Sequence, residues 1–227
     1  MSEPILFLPG LLCDERLWRE QMAAFPGATV ADFTHDSTID DMAARALGAM
    51  HGRFSLAALS MGGYVALAIM RMAPDRVARL ALFDTSARAD TPEQAKRRRG
   101  LMAMTRSNRF RGVTPKLLPQ LVHPDRLSDR DLCQSVLDMA ERVGQQAFLR
   151  QQQAILTRID SRPHLASIAC PTLVAVGEAD ILTPPALSEE MAGMIVQARL
   201  LTIPRAAHLP PMEQPDDTIA ILRDWLR

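Results

Sequence analysis

Cysteine is scarce in this chain: Cys13, Cys133 and Cys170 are odd in number, widely spaced and free of any C-x-x-C pair. That pattern excludes a disulfide framework and a thiolate zinc site, and it suits reduced thiols in a cytoplasmic protein. An excess of either charge is also missing, since 26 basic residues face 26 acidic ones. Nucleic acid and membrane surfaces are therefore poor candidates for the main partner. Lysine occurs only at positions 96 and 116, so the cationic character is almost all arginine. The longest apolar stretch, Leu59 to Met70, is too short to cross a bilayer. A strand-like run already begins at Ile5, which leaves no room for a signal peptide. Repeats and low-complexity segments are absent as well. With 48% hydrophobic and 23% charged residues over 227 positions, the chain reads as one α/β domain, with or without an insertion.

Short apolar runs alternate with helical patterns. Ile5–Leu8, Ala28–Phe33, Phe54–Leu59, Val77–Phe83, Thr172–Val176 and Ala198–Ile203 read as strands. Helices are expected at Ile39–Met50, Met61–Met72, Ala186–Met194 and from Asp216 to Leu226. Such alternation implies a mostly parallel sheet with helices on both faces. From Ala89 to Leu165 no strand pattern appears, only helical segments such as Pro92–Thr105, Asp129–Val143 and Gln145–Thr157. The reading is a core made of residues 1–88 and 166–227. A helical lid, residues 89–165, is inserted into it over the strand ends.

The densest chemical signal is Ala58-Leu59-Ser60-Met61-Gly62-Gly63, between a strand-like run and a helix-like one. Small residues around a serine at a strand-to-helix junction match the nucleophile elbow, with Ala58 in place of the first glycine. Such a turn strains the serine backbone, lifts the hydroxyl above the sheet and aims the following amide, that of Met61, at a developing oxyanion. A serine merely capping a tightly packed helix would leave the same short pattern.

A serine hydroxyl needs a base, and the base needs an orienting carboxylate. Of five histidines, His208 alone directly follows a late strand, Ala198–Ile203. Asp180 follows Thr172–Val176; its rivals are Glu178 and Asp84, the latter directly after Val77–Phe83. Ser60, Asp180, His208 is the chain order of the hydrolase triad built on such a sheet. The second oxyanion donor is expected from the turn Leu8-Pro9-Gly10-Leu11-Leu12, where Leu11 N–H is the candidate because Pro9 has no N–H. Cys13 reads as a pocket wall and Trp18 as helix packing. No metal or organic cofactor is implied.

Residues 90–120 hold eight basic residues, including Arg97 and Arg109, against Asp90 and Glu93. The excess describes either a solvated helix face or arginines that meet an anionic substrate group at the Ser60 cleft.

Four segments in order carry a family resemblance: L-P-G-L-L-C-D-E-R-L-W at Leu8–Trp18, A-L-S-M-G-G at Ala58–Gly63, V-G-E-A-D at Val176–Asp180 and H-L-P-P-M-E-Q-P at His208–Pro215. Together they resemble the α/β-hydrolase superfamily over nearly the whole chain. Pro9-Gly10 stands where that family usually has His-Gly, and the start corresponds to its third strand, as in a short member. The Asp14 to Trp18 spacing and the Ser-Met-Gly-Gly elbow are similar to those of enol-lactonases and small carboxylesterases. The resemblance implies a serine hydrolase that cleaves an ester or lactone of a small molecule, acidic if the lid arginines face the cleft. C–C bond hydrolysis, thioester cleavage and cofactor-free peroxidation run on the same fold, as do ligand-binding proteins without catalysis.

Overall fold

The computed structural model describes residues 3–107, 110 and 112–227. The apolar runs become six strands: β1 (Ile5–Leu8), β2 (Thr29–Val30), β3 (Phe54–Leu59), β4 (Val77–Phe83), β5 (Thr172–Gly177) and β6 (Ala198–Ile203). They form one sheet in the order β2-β1-β3-β4-β5-β6, and every adjacent pair is parallel. Ten α-helical segments complete the described chain. In the first part are α1 (Arg19–Ala24), α2 (Ile39–Gly48) and α3 (Met61–Met72). Between β4 and β5 lie α4 (Pro92–Ser107), α5 (Leu118–Leu121), α6 (Arg130–Leu156) and α7 (Arg162–Leu165). The last are α8 (Pro185–Met194), α9 (Pro210–Glu213) and α10 (Pro215–Trp225).

Strands without polar alternation are the mark of a sheet covered on both sides, and β3 is buried at every residue. The pleat divides those residues between two cores. Leu6, Leu8, Leu56, Ala58, Leu80, Leu82 and Val174 face one side, where α2, α3 and α8 contribute Met42, Val65, Ile69 and Met191. Ile5, Phe7, Ala57, Leu59, Ala81 and Phe83 face the other, with Trp18, Leu222 and Trp225. Trp18 stacks on Phe7 at a centroid distance of 4.7 Å and meets the edge of Phe83 at 5.8 Å, so it packs directly on the sheet.

One expected element is much shorter than its apolar run. Ala28–Phe33 shrinks to Thr29–Val30, because this edge strand pairs only with β1 and Asp32 turns the chain by accepting from Thr34 N–H. The two helices expected on either side of position 144 are both present within α6, separated by Gly144, whose φ of 80° and ψ of 172° are not helical. No helix among the described residues is long and apolar enough to cross a membrane.

Candidate active site

Four non-glycine residues among those described have positive φ, and all lie in loops that follow strands. They are Leu12 after β1 (59°), Ser60 after β3 (54°), Asp84 after β4 (45°) and Arg205 after β6 (55°). Left-handed backbone costs on the order of 1–3 kcal/mol for such residues and persists only where surrounding bonds enforce it. At Ser60 the enforcement is visible. Its N–H donates to Phe83 O at 3.0 Å, and its carbonyl accepts from Gly63 N–H at 2.9 Å and Thr85 Oγ–H at 2.7 Å. The elbow also needs its two glycines: a Cβ on Gly62 would collide with the Leu8 carbonyl, and one on Gly63 with the Thr85 side chain.

The strained turn sets Ser60 Oγ 2.9 Å from His208 Nε2, while His208 Nδ1 lies 2.9 Å from Asp180 Oδ2. An ionised carboxylate only accepts, so Nδ1 carries the proton and Nε2 is left to accept from the serine hydroxyl. Asp180 is 2% exposed and His208 5%. Burial alone would raise the Asp180 acid. The charge of His208 outweighs it, together with hydrogen bonds from His208 and Thr183, and holds the carboxyl well below the usual range. Asp180 Oδ1 accepts from the N–H groups of Leu182 (2.8 Å) and Thr183 (3.1 Å), and Oδ2 accepts from Thr183 Oγ–H at 2.6 Å. Both oxygens of this carboxylate are thereby engaged.

Gly10 lies against the serine, since a Cβ built on it would stand 3.4 Å from that of Ser60. The turn Gly10–Cys13 closes through Cys13 N–H donating to Gly10 O at 3.1 Å, and Leu12 N–H donates to the buried Gln151 Oε1 at 3.0 Å. Leu11 N–H and Met61 N–H have no acceptor among the described residues. Cys13 is buried beside Gly10, and burial pushes its thiol up to about 12, so it is no thiolate nucleophile at neutral pH.

The rival carboxylates are placed differently. Asp84 turns its Oδ1 to Gly177 N–H at 2.8 Å, and exposed Glu178 accepts from Arg205 N–H at 2.6 Å. Asp84, Asp180 and His208 bring one donor atom each within 4.8 Å of one another, the spacing of a cation site. Asp180 and His208, however, spend those atoms on each other.

Of the basic residues after position 90, Arg97, Arg99 and Arg106 are exposed on α4. Arg98 is committed to Asp90 at 2.9 Å and to Gln152 at 2.5 Å. None of these four bonds to Ser60, Asp180 or His208 among the described residues, and Arg109 and Arg111 lie outside those residues. A cavity of about 260 Å³ runs beside α3 past Tyr64, Leu67, Ser86 and Arg158, but the three site residues do not line it.

Sequence reasoning assigned no role to Glu213. Its fully buried carboxylate accepts from Ala207 N–H (2.9 Å) and Leu209 N–H (3.0 Å), the amides on either side of His208. It also accepts from His123 N–H at 2.6 Å, and His208 N–H donates to Leu121 O at 3.1 Å. The backbone that carries His208 is thus tied both to its own loop and to the segment between β4 and β5. An acid enclosed by prolines in His208–Pro215 was the available signal; Gln151, mid-helix in a polar run, offered none.

A model of the alpha/beta hydrolase family matches residues 5–221. A pimeloyl-[acyl-carrier protein] methyl ester esterase of Neisseria meningitidis serogroup C is 28% identical over 216 residues, covering 92% of this chain and 83% of that protein. A thermophilic esterase from Thermogutta terrifontis, solved with malate bound, superposes with a TM-score of 0.90 at 31% identity over 100% of this chain and 90% of its own. The enol-lactonase of Burkholderia xenovorans gives 0.88 at 25% identity, covering 100% and 92%.

Proposed function

The chain belongs to the alpha/beta hydrolase family, and we propose that it is a serine carboxylesterase working through Ser60, His208 and Asp180. One observation carries this reading: a serine in enforced left-handed backbone, 2.9 Å from an imidazole that is itself 2.9 Å from a buried carboxylate. As Ser60 Oγ attacks the ester carbonyl, His208 Nε2 takes its proton and later gives it to the leaving alcohol. Asp180 keeps the proton of the neutral imidazole on Nδ1 and stabilises the imidazolium. Leu11 and Met61 amides receive the oxyanion; one such donor is worth about 2.7–4 kcal/mol. Water then releases the acyl group by the same steps, and no metal or organic cofactor is required.

The bond is an ester bond in this reading, as in the proteins named methyl ester esterase and esterase. The acyl part is small or chain-like and carries an acidic group or an acidic carrier. The local excess of basic residues at 90–120 motivates that choice, as does the esterase solved with malate bound. Residues 89–165 act as the lid that selects it, and the free Cys13, Cys133 and Cys170 fit a cytoplasmic setting. The likeness to an enol-lactonase makes lactones the second class to try.

A panel of methyl esters of mono- and dicarboxylic acids, lactones and thioesters, assayed on wild type and Ser60→Ala, tests the assignment. Turnover is expected on methyl esters, higher when the acid bears a second carboxylate, and lost in the variant. Turnover confined to thioesters, or untouched by Ser60→Ala, would overturn it.

A further inference from the structure

Asp84 has no task in the hydrogen-bond chain from Ser60 to Asp180, yet it is fully buried and held at a φ of 45° directly after β4. Its Oδ1 accepts from Gly177 N–H at 2.8 Å, while Oδ2 is sealed from solvent and has no partner among the described residues. One oxygen of this carboxyl and one of Asp180 lie within 4.8 Å of each other and of a His208 ring nitrogen.

Two buried carboxylates this close cannot both ionise cheaply. The competition is one-sided. Asp180 has His208 and the three donors of Leu182 and Thr183; Asp84 has one backbone amide. The groups that face Asp84 are Asp180 from the loop after β5, His208 from the loop after β6, and Glu213 from α9. Burial first, then the Asp180 charge, with Glu213 adding to it, pushes the Asp84 acid well above the ordinary carboxylate range. A proton on Oδ2 also removes the one polar anomaly of the site, turning an unpartnered acceptor into a donor.

We propose that Asp84 is a positioning residue held as a neutral carboxylic acid, whose Oδ2–H donates to the Asp180 carboxylate behind the imidazole. This rests on Asp180 being the carboxylate of the triad. The donated bond adds a fifth tether to Asp180 and fixes its rotamer without placing a second negative charge beside His208. The imidazole therefore feels one carboxylate charge from this pair.

Two measurements test this. In protein labelled with carboxyl-¹³C aspartate, one aspartate resonance at about pH 8 should keep the shift of a protonated acid, and Asp84→Asn should remove it. That readout needs no turnover, so its failure is distinct from a failure of the esterase reading, and wild type decides it even if the variant does not fold. The second is the pH dependence of kcat/KM. The carboxamide of Asp84→Asn copies the neutral acid, keeping an acceptor for Gly177 N–H and a donor toward Asp180, so the acid limb should not move. Removing a true negative charge from within 4.8 Å of His208 would instead drag that limb down by on the order of two pH units, at an effective dielectric of about 20. No protonated aspartate signal, or a limb displaced downward in Asp84→Asn, would overturn the proposal.

Discussion

At the carboxyl end of the sheet, Asp180, Glu213 and His208 are almost wholly buried, and each is spent on a backbone amide or on another of the site's side chains. On α4, by contrast, only Met102 and Thr105 are buried, and Arg97, Arg99 and Arg106 stand exposed. A part-buried ion-pair network joins the two ends of the segment between β4 and β5, where Asp90 receives Arg98 at 2.9 Å and Arg158 at 2.7 Å. Arg158 in turn lies 4.4 Å over the ring of Tyr64, one turn beyond Ser60. A small chemical change therefore weighs more at the sheet end than on α4. A buried polar group has no water to replace a lost partner, whereas an exposed arginine trades one solvated position for another.

The most severe way to press on that contrast is to remove the proposed nucleophile. Ser60→Ala should lower kcat by at least about 10³-fold and as much as ~10⁶-fold, with the fold intact, as triad members act as a unit. Asp180→Asn should cost about 10⁴-fold by misplacing the imidazole proton, and Asp84→Asn far less. Steady-state kinetics on one ester decides between them. If the order reverses, the orienting acid follows β4 instead of β5.

Glu213→Gln tests the clamp around His208. A carboxamide has one acceptor oxygen where the carboxylate uses two, so its NH2 must face a backbone N–H of His123 or of the pair flanking His208. An unsatisfied buried donor costs about 1–3 kcal/mol, or about 2–4 °C in Tm per kcal/mol for a chain this long. Calorimetry showing an unchanged Tm would mean the loop is held by other bonds.

The two aspartates should also leave opposite marks on stability against pH. The Asp180 acid is lowered in the folded chain, burial notwithstanding, by His208 and Thr183. Its contribution is therefore present above the unfolded value of about 3.9 and lost as pH falls below it. The Asp84 acid is raised by burial and by Asp180, so the folded state binds the extra proton and stability declines as pH climbs above about 4. Denaturation of Asp84→Asn should then show a gain over wild type that grows above about pH 4 and vanishes below it.

Smallest of all should be Arg97→Ala, within about 0.5 kcal/mol of wild-type stability. It should spare a neutral ester, and any loss should be confined to an acidic one. Equal loss on both substrates would place Arg97 in a role that its exposure does not suggest.

Much of the frame was legible because it rests on runs that no other element can use. Phe54–Leu59, Val77–Phe83 and Ala198–Ile203 coincide with strands residue for residue, as does Met61–Met72 with its helix. The edge strand was overdrawn, since apolar content alone does not reveal that only two of its residues reach β1. At the site, Ser60 and His208 stood out by position after strands, but Asp84 and Asp180 share that position. Only the fold sets one at 2.9 Å from the imidazole and turns the other to Gly177. Glu213 and Gln151 also accept from the backbone amides of His123 and Leu12, 90 and 139 positions away in the chain, and composition carries no record of those bonds.

Covalent labelling with a fluorophosphonate, followed by peptide mapping, asks most directly whether Ser60 is an activated nucleophile. One adduct per chain is expected, located on the Ser60 peptide, abolished by Ser60→Ala and strongly slowed by changing His208. No adduct on active protein, or an adduct on a different residue, would contradict it.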